Sequence, residues 1–229
     1  MLAQNDSAPS GPAGTHGYPG TLVVIEGGDR SGRSTQVQLL VAWLKERGTP
    51  VVQTDWSASP HISKAIHKAK AEGALRPITF SLFYAADFAD RVTNVIVPSL
   101  ERGETVVADR YIYTAFARDV ARGANRDWLQ TLYCFAPKPD VVFYLRVAPE
   151  VTAARVPSAP IKAMDQYEAG LDLGLSSDPA KSFHMYQQRV FDQFERICAE
   201  YGLVVLDGER KVESLHRTIR DVVQDIVRQ

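Results

Sequence analysis

The sequence predicts an α/β fold built on a five-stranded parallel sheet that helices cover on both faces. From residue 22 onward, short apolar runs rich in Val and Ile alternate with longer segments whose apolar residues recur at helical spacing. This alternation is typical of parallel sheets. The 229 residues are 45% apolar, which is enough for the core of one large domain. We therefore expect a single domain over residues 21–229.

Five segments have the length and composition of buried strands. Each is short and mostly apolar, and a glycine or proline lies close to it in the chain. Such runs are typical of strands that are covered on both faces. The predicted strands are residues 22–26, 50–54, 105–108, 141–146 and 203–206.

Helices are predicted between and after the strands. They comprise residues 34–46, 59–72, 77–101, 126–135, 182–201 and 211–227. A glycine ends each of the first three, Pro77 opens the third, and Pro98 predicts a kink near the end of that helix. Residues 156–179 lack a regular pattern, and an irregular segment of this length inside a domain is typical of a lid.

The composition limits the compartment and the partners. Residues 1–20 are rich in Gly, Pro, Ala and Ser and contain no apolar run, which predicts a disordered N-terminal tail rather than a signal peptide. No stretch approaches the roughly 20 apolar residues of a membrane span, so we expect a cytoplasmic protein with no membrane partner. The 26 Lys and Arg residues balance 27 Asp and Glu residues, so no nucleic-acid partner is expected.

The first strand leads into a candidate phosphate-binding loop. Gly27 to Ser34 matches the pattern G-x-x-x-x-G-K-[ST] at every fixed position except one, where Arg33 replaces lysine. Because a helix is predicted to start here, backbone N–H groups and the positive end of the helix dipole would face a phosphate. Arg33 keeps the cation but presents a planar fork with a different reach. The alternative interpretation is a strand-to-helix turn without a ligand.

A second candidate site follows the third predicted strand. Asp109, Arg110 and Tyr111 come directly after its apolar residues, at the carboxyl edge where open α/β sheets bind their ligands. Asp109 could hold Mg²⁺ directly or through water, and Arg110 could bind the phosphate of an acceptor. The alternative is a structural Asp–Arg pair that caps the strand.

These segments resemble the thymidylate kinase family. Residues 26–36, E-G-G-D-R-S-G-R-S-T-Q, are similar to its signature E-G-x-D-x-x-G-K-S-T-Q, and residues 109–111 match its D-R-Y. Further similarity lies in Y-A-A-D at 84–87, V-I-V-P-S-L-E-R-G at 95–103 and P-K-P-D at 137–140. The resemblance implies a P-loop kinase fold that transfers a phosphoryl group from ATP to dTMP, with Mg²⁺ as cofactor.

The resemblance also implies roles for individual positions. The ATP phosphates would be bound by Gly27, Gly28, Asp29, Arg30, Ser31, Gly32, Arg33, Ser34 and Thr35, and Mg²⁺ by Ser34 and Asp109. The catalytic residues would be Arg30, Arg33, Asp109 and Arg110. The acceptor would be bound by Asp29, Tyr84, Phe88, Arg110, Thr114 and Arg118.

Departures from the family pattern concentrate on the acceptor side. Phe88 stands where the family usually has an arginine that reads the thymine oxygen, and Arg118 stands where it has an aromatic residue beside the sugar. Residues 54–60 lack the family's arginine for the acceptor phosphate, and residues 165–178 carry carboxylates and glycines where lids of the family more often carry arginines. The departures therefore affect the acceptor side of the site more than the ATP side.

Three functions remain open on the sequence alone. The first is phosphoryl transfer from ATP to a nucleoside monophosphate, with dTMP as the family's acceptor. The second is a kinase for a different acceptor, and the third is a nucleotide-binding regulatory module with weak catalysis. Because similar kinases are often homodimers through their long helices, a homodimer is also expected.

Overall fold

A computed structural model describes residues 16–155 and 166–227. The sheet is entirely parallel, with strand order β2-β3-β1-β4-β5, which confirms the predicted α/β class. Its strands are β1 (Thr21–Gly27), β2 (Val51–Asp55), β3 (Thr105–Asp109), β4 (Val141–Arg146) and β5 (Val204–Asp207). Each predicted strand lies within one residue of its observed bounds at either end.

Helices cover both faces of the sheet. They are α1 (Arg33–Glu46), α2 (Ser63–Ala71), α3 (Pro77–Arg91), α4 (Val97–Glu101), α5 (Ile112–Ala121), α6 (Arg126–Leu132), α7 (Pro149–Ala154), α8 (Pro179–Tyr201) and α9 (Val212–Val227). No helix in these described ranges is long and apolar enough to cross a membrane.

Alternate residues of β1 belong to two separate cores. Leu22 and Val24 pack with apolar residues of α3, α5 and α8, whereas Val23 and Ile25 pack with residues of α1 and α9. All four side chains have no exposed surface. Because successive side chains of a strand point to opposite faces, the central strand is buried on both sides and its end is held in place by both cores.

Several helix boundaries differ from the sequence prediction for local reasons. Helix α8 begins at Pro179 rather than residue 182 because the Asp178 carboxylate caps it, accepting a hydrogen bond from the Lys181 backbone N–H at 2.9 Å. Helix α2 begins at Ser63 rather than 59, because the Ser59 hydroxyl instead accepts bonds from the backbone N–H groups of His61 and Ile62, both at 3.1 Å. Helix α6 is shorter than predicted, and α5 and α7 lie outside the segments predicted as helices.

The helical run that contains Pro98 changes its hydrogen-bonding pattern before the proline. A π-helical turn (Val92–Ile96) separates α3 from α4. Pro98 lies in the first turn of α4, where its missing N–H costs little. The irregularity predicted at Pro98 is therefore a wider turn immediately upstream of it.

The chain before β1 lies against the domain from residue 16 onward. The His16 Nε2 lies 2.9 Å from the Asp140 carboxylate, and the Gly20 backbone N–H donates to the Leu100 carbonyl at 2.9 Å. Residues 16–20, which belong to the predicted tail, therefore lie in contact with the domain, and the tail remains a prediction. Its remaining residues, 1–15, and the lid residues 156–165 lie outside the described residues.

Candidate active site

The predicted phosphate loop connects β1 to α1, with Arg30 and Gly32 exposed and Ser31 buried between them. Arg30 and Gly32 have φ angles of 64° and 90°. When left-handed and right-handed backbone conformations alternate in this way, successive N–H groups point to one side. Helix α1 begins at Arg33 without a side-chain cap, so its first N–H groups stay available to an anion. Gly27 has no room for a side chain, since an added Cβ would lie 2.5 Å from the Ser31 Oγ. This geometry can hold a polyphosphate.

Arg33 joins the loop to the end of β3. Its Nε forms an ion pair with the Asp109 carboxylate, and its Nη1 donates to the carbonyls of Gly27 at 2.7 Å and Gly28 at 3.3 Å. The side chains of Arg33 and Asp109 are only 11% and 10% exposed. The planar fork therefore bonds a carboxylate through one nitrogen and two loop carbonyls through another, which a lysine ammonium on its thinner stem cannot do in the same way.

Ser34 and Asp109 form a donor set that suits Mg²⁺. The Ser34 hydroxyl donates to Asp109 Oδ2 at 2.7 Å, so a hydroxyl oxygen and a carboxylate oxygen lie together beside the loop. Magnesium prefers oxygen ligands and often keeps few protein ligands, with phosphate and water supplying the rest. In the described part of the chain no group of three or more His, Cys, Asp or Glu residues could hold a metal.

Arg110 lies between the loop and α5. It has a φ of 74°, and its guanidinium forms an ion pair with Asp29 of the loop. Its Nη1 also donates to the Thr114 Oγ1 at 3.3 Å. Burial alone would raise the pKa of Asp29, but the charges of Arg110, Arg33 and Arg118 outweigh it and lower that pKa. Asp29 is therefore a carboxylate held among three cations.

Glu26, at the end of β1, supports the start of α5 from the interior of the protein. Its side chain is fully buried at the end of β1, and it accepts hydrogen bonds from the backbone N–H groups of Tyr111 at 2.8 Å and Thr114 at 3.0 Å, and from the Thr114 hydroxyl at 2.5 Å. Burial raises the pKa of Glu26 even though Thr114 and Arg110 favour its charged form. Glu26 thus satisfies backbone N–H groups at the start of α5, and it orients Tyr111 and Thr114.

Two adjacent cavities open at this edge of the sheet. The first, which we call the loop cavity, has a volume of about 360 Å³ and is lined by residues including Arg33, Ser34 and Asp109. The second, the aromatic cavity, has a volume of about 260 Å³ and is lined by residues including Phe80, Tyr84, Tyr167 and Tyr186. Arg110 and Trp56 line both cavities. A group bound in one cavity therefore shares a wall with a group bound in the other.

Arg118 reaches the aromatic cavity from α5. Its guanidinium carbon lies 4.6 Å from the centroid of the Tyr84 ring and 4.8 Å from that of Phe80, which are cation–π distances. Its Nε and Nη2 are buried and have no hydrogen-bond partner in the described structure. Buried donors without partners are costly, so this side chain is suited to bind an oxygen of a ligand.

Two predicted acceptor residues lie behind the cavity wall. Phe88 is fully buried and its ring packs on those of Trp56, Tyr111 and Tyr133, with centroids 4.9 to 6.1 Å away. Thr114 is also fully buried and bonds only to neighbouring protein groups. Contact of these two side chains with an acceptor therefore stays a prediction; in this structure Phe88 packs on Trp56, and Thr114 accepts a hydrogen bond from Arg110.

The other predicted residues are brought together, and the structure adds several that the sequence analysis did not assign to the site, among them Trp56, Arg122 and Gln187. The side chain of Arg30 is exposed at the tip of the loop, where its carbonyl accepts a bond from Arg155 Nη1 at 2.9 Å. Trp56 and Arg122 line the aromatic cavity, and the Gln187 amide donates to Asp29 at 3.2 Å. No motif marks these three positions. Trp56 does lie in the segment that departs from the family pattern, and this could have identified it.

A family model built from known proteins matches the part of the chain that contains the phosphate loop and the residues around it. The thymidylate kinase family model matches residues 25–219, a range that contains the end of β1, the phosphate loop and every predicted site residue.

Similar proteins cover nearly the whole chain. A probable thymidylate kinase 2 of Saccharolobus solfataricus is 39% identical over 209 residues, which are 91% of this chain and 97% of that protein. A probable thymidylate kinase of Thermococcus kodakarensis is 30% identical over 90% of this chain and 98% of its own. A thymidylate kinase of Caldicellulosiruptor saccharolyticus is 29% identical over 91% and 98% of the two chains.

Proposed function

The chain belongs to the thymidylate kinase family, and from this premise we propose that it transfers the γ-phosphoryl group of ATP to dTMP, forming dTDP and ADP. One structural observation supports the proposal in addition to family membership. Arg110 lines both the loop cavity and the aromatic cavity. Transfer between two phosphates needs a cation at the point where donor and acceptor meet. Arg110 lies at that junction, between the phosphate loop and the cavity that suits a base.

The donor side would be formed by the loop. The backbone N–H groups between Gly27 and Thr35 would bind the ATP phosphates, with Arg33 and Arg30 supplying positive charge. Ser34 and Asp109 would hold Mg²⁺, which when bound neutralises charge on the ATP phosphates. Arg30 is exposed at the loop tip, so it can reach the transferring group without breaking a contact of its own side chain.

The acceptor side would be formed by the aromatic cavity. Tyr84 and Trp56 stack at 5.8 Å with an interplanar angle of 15°, and they offer an aromatic wall to a planar base. The unpartnered donors of Arg118 would bind an oxygen of the acceptor. Asp29, which pairs with Arg110, would lie near the sugar hydroxyl. No general base is needed because the acceptor phosphate is already an anion, so positioning and electrostatic stabilisation supply the catalysis.

A product assay with an acceptor panel tests this proposal. Purified protein is incubated with ATP, Mg²⁺ and one of dTMP, dUMP, dGMP, dCMP or AMP at equal concentration, and the nucleoside diphosphate is quantified. We expect dTMP to be the preferred acceptor. We expect Arg110→Gln to lower kcat/KM by about 10² to 10³. The matched control is Arg126→Gln, because Arg126 forms a surface ion pair with Glu200 away from both cavities.

Two outcomes would overturn the dTMP assignment. Faster turnover of another monophosphate would favour a kinase for a different acceptor, an alternative that the unpartnered Arg118 donors also fit. Binding of ATP without turnover of any acceptor would favour a regulatory nucleotide-binding module. A homodimer and a cytoplasmic location remain predictions, and analytical ultracentrifugation would test the first.

A further inference from the structure

Residues 166–175, which we call the roof segment, cover one side of the aromatic cavity. Tyr167 and Glu168 line the cavity, and Tyr167 is 3% exposed. The Tyr167 hydroxyl accepts a hydrogen bond from the Leu75 backbone N–H at 3.0 Å, and the Gln166 amide donates to the Lys70 carbonyl at 3.4 Å. The roof segment is therefore attached on one side to the end of α2 and to the chain that links α2 to α3.

Arg122, directly after α5, attaches the roof segment on its other side. Its Nη1 forms an ion pair with Asp172 and its Nη2 donates to the Tyr167 carbonyl, so one guanidinium bonds two points of the segment. The Arg122 side chain is 3% exposed and that of Asp172 is 16% exposed. Charge-assisted bonds that are this well shielded from water are the strong ones. The guanidinium carbon also lies 4.6 Å from the Tyr186 ring centroid and 4.7 Å from that of Phe80.

Gly170 lets the roof segment approach α8. Its φ is 65°, and an added Cβ would lie 2.7 Å from the Cβ of Tyr186 and 3.0 Å from its Cγ, closer than non-bonded carbons pack. Gly174 has almost the same φ, 64°, but an added Cβ there would meet nothing within 4 Å. The two glycines thus share one backbone conformation and differ in their surroundings. Only Gly170 is needed for contact between the roof segment and the cavity wall.

We propose that Arg122, with Asp172 and Gly170, positions the roof segment so that it forms the acceptor half of the active site. The inference rests on the proposed function, because it takes the occupant of the aromatic cavity to be the nucleoside monophosphate. We call the bonds from Arg122 to Asp172 and to the Tyr167 carbonyl the clamp. When the clamp is released, Tyr167 and Glu168 move away from the cavity, and the acceptor loses one wall of its site. The phosphate loop has no part in these contacts. Release should therefore weaken acceptor binding and leave ATP binding unchanged.

The matched pair Gly170→Ala and Gly174→Ala gives the sharpest test. Alanine at either position is strained by the positive φ, but only at Gly170 does its methyl group push against Tyr186. We expect Gly170→Ala to raise KM for dTMP about tenfold and to speed amide hydrogen exchange within residues 166–175. KM for ATP and kcat should change by less than about twofold. Gly174→Ala carries the same backbone strain without the clash, so its effects on KM for dTMP and on exchange should be clearly smaller than those of Gly170→Ala.

A second pair of variants tests the ion pair itself. Arg122→Met should raise KM for dTMP by about tenfold or more, and Asp172→Asn, which leaves the bond to the Tyr167 carbonyl, by about threefold. Arg122→Lys should recover part of the loss. Arg126→Met is the control, because it removes an arginine from an ion pair that lies outside the aromatic cavity. If Arg122→Met does not fold, Asp172→Asn and the glycine pair carry the test.

The readouts separate positioning from direct contact. A rise in KM for dTMP with unchanged exchange in residues 166–175 would mean that Arg122 touches the acceptor, and it would overturn the positioning role. Faster exchange with unchanged KM would mean that the roof segment does not form the acceptor site, which also overturns the proposal. If wild-type protein does not use dTMP, the proposed function fails. The exchange contrast between the two glycine variants would still support or refute the clamp.

Discussion

Replacing Arg33 tests how the phosphate loop works with arginine in the place of lysine. The side chain makes an ion pair with Asp109 and hydrogen bonds to the carbonyls of Gly27 and Gly28. Arg33→Met removes all three interactions and leaves the Asp109 carboxylate with the Ser34 hydroxyl at 2.7 Å as its remaining hydrogen-bond partner. Arg33→Lys keeps the positive charge. A lysine has only one side-chain nitrogen, whereas in arginine the Nε bonds Asp109 and the Nη1 bonds the loop carbonyls.

The size of each effect follows from burial. Removing one partner of a well-buried ion pair costs about 3 to 5 kcal/mol. Because Asp109 keeps its bond to Ser34, we expect Arg33→Met to lower the free energy of unfolding by about 3 kcal/mol. Lysine can replace only part of the fork, so Arg33→Lys should cost about 1 to 2 kcal/mol. Its turnover should stay within about tenfold of wild type, since the cation is retained.

Urea unfolding and calorimetric titration with a non-hydrolysable ATP analogue and Mg²⁺ measure these effects. We expect both stability and ATP affinity to fall in the order wild type, Arg33→Lys, Arg33→Met. Arg126→Met controls for loss of an arginine from an exposed ion pair. An Arg33→Met protein as stable as wild type would refute the reasoning, because it would mean that the guanidinium does not compensate the buried negative charge of Asp109. An inactive Arg33→Lys protein would show that the loop depends on the fork itself.

Three further predictions concern single residues at the site. Arg30→Ala should lower kcat about 10²-fold without changing the free energy of unfolding; a normal kcat in stopped assays would exclude Arg30 from catalysis. Glu26→Ala should destabilise the fold by about 2 to 5 kcal/mol in urea, because the buried N–H groups of Tyr111 and Thr114 lose their acceptor; a loss below about 1 kcal/mol would contradict this. The lowered pKa of Asp29 means that its stabilisation is present above about pH 4 and is lost as the pH falls through its folded pKa. The stability advantage of wild type over Asp29→Asn should therefore shrink between pH 5 and the acid limit of folding, and a constant difference across that range would refute the assignment.

The parts of the fold with strong local signals were predictable. The strands are short apolar runs near glycine or proline, and their bounds differ from the prediction by no more than one residue. Helix α5 was not predicted, although its buried face includes Tyr113 and Phe116, because polar Thr114 and Asp119 on the same face interrupt the apolar pattern. Helix α7 has only six residues, too few for helical periodicity to be read.

The site divides in the same way. The phosphate loop and the pair Asp109 and Arg110 are each formed by neighbours in the chain at the end of one strand, so their spacing in the sequence already implied phosphate-loop chemistry. The aromatic cavity is formed by side chains from α3, α5, α8 and the roof segment, which are far apart in the chain. Which of these side chains enter the cavity depends on how the helices pack, and no local pattern encodes that. For this reason Phe88 was assigned to the acceptor and lies behind Trp56, whereas Arg122, which no motif marks, lies where it can hold the roof segment in place.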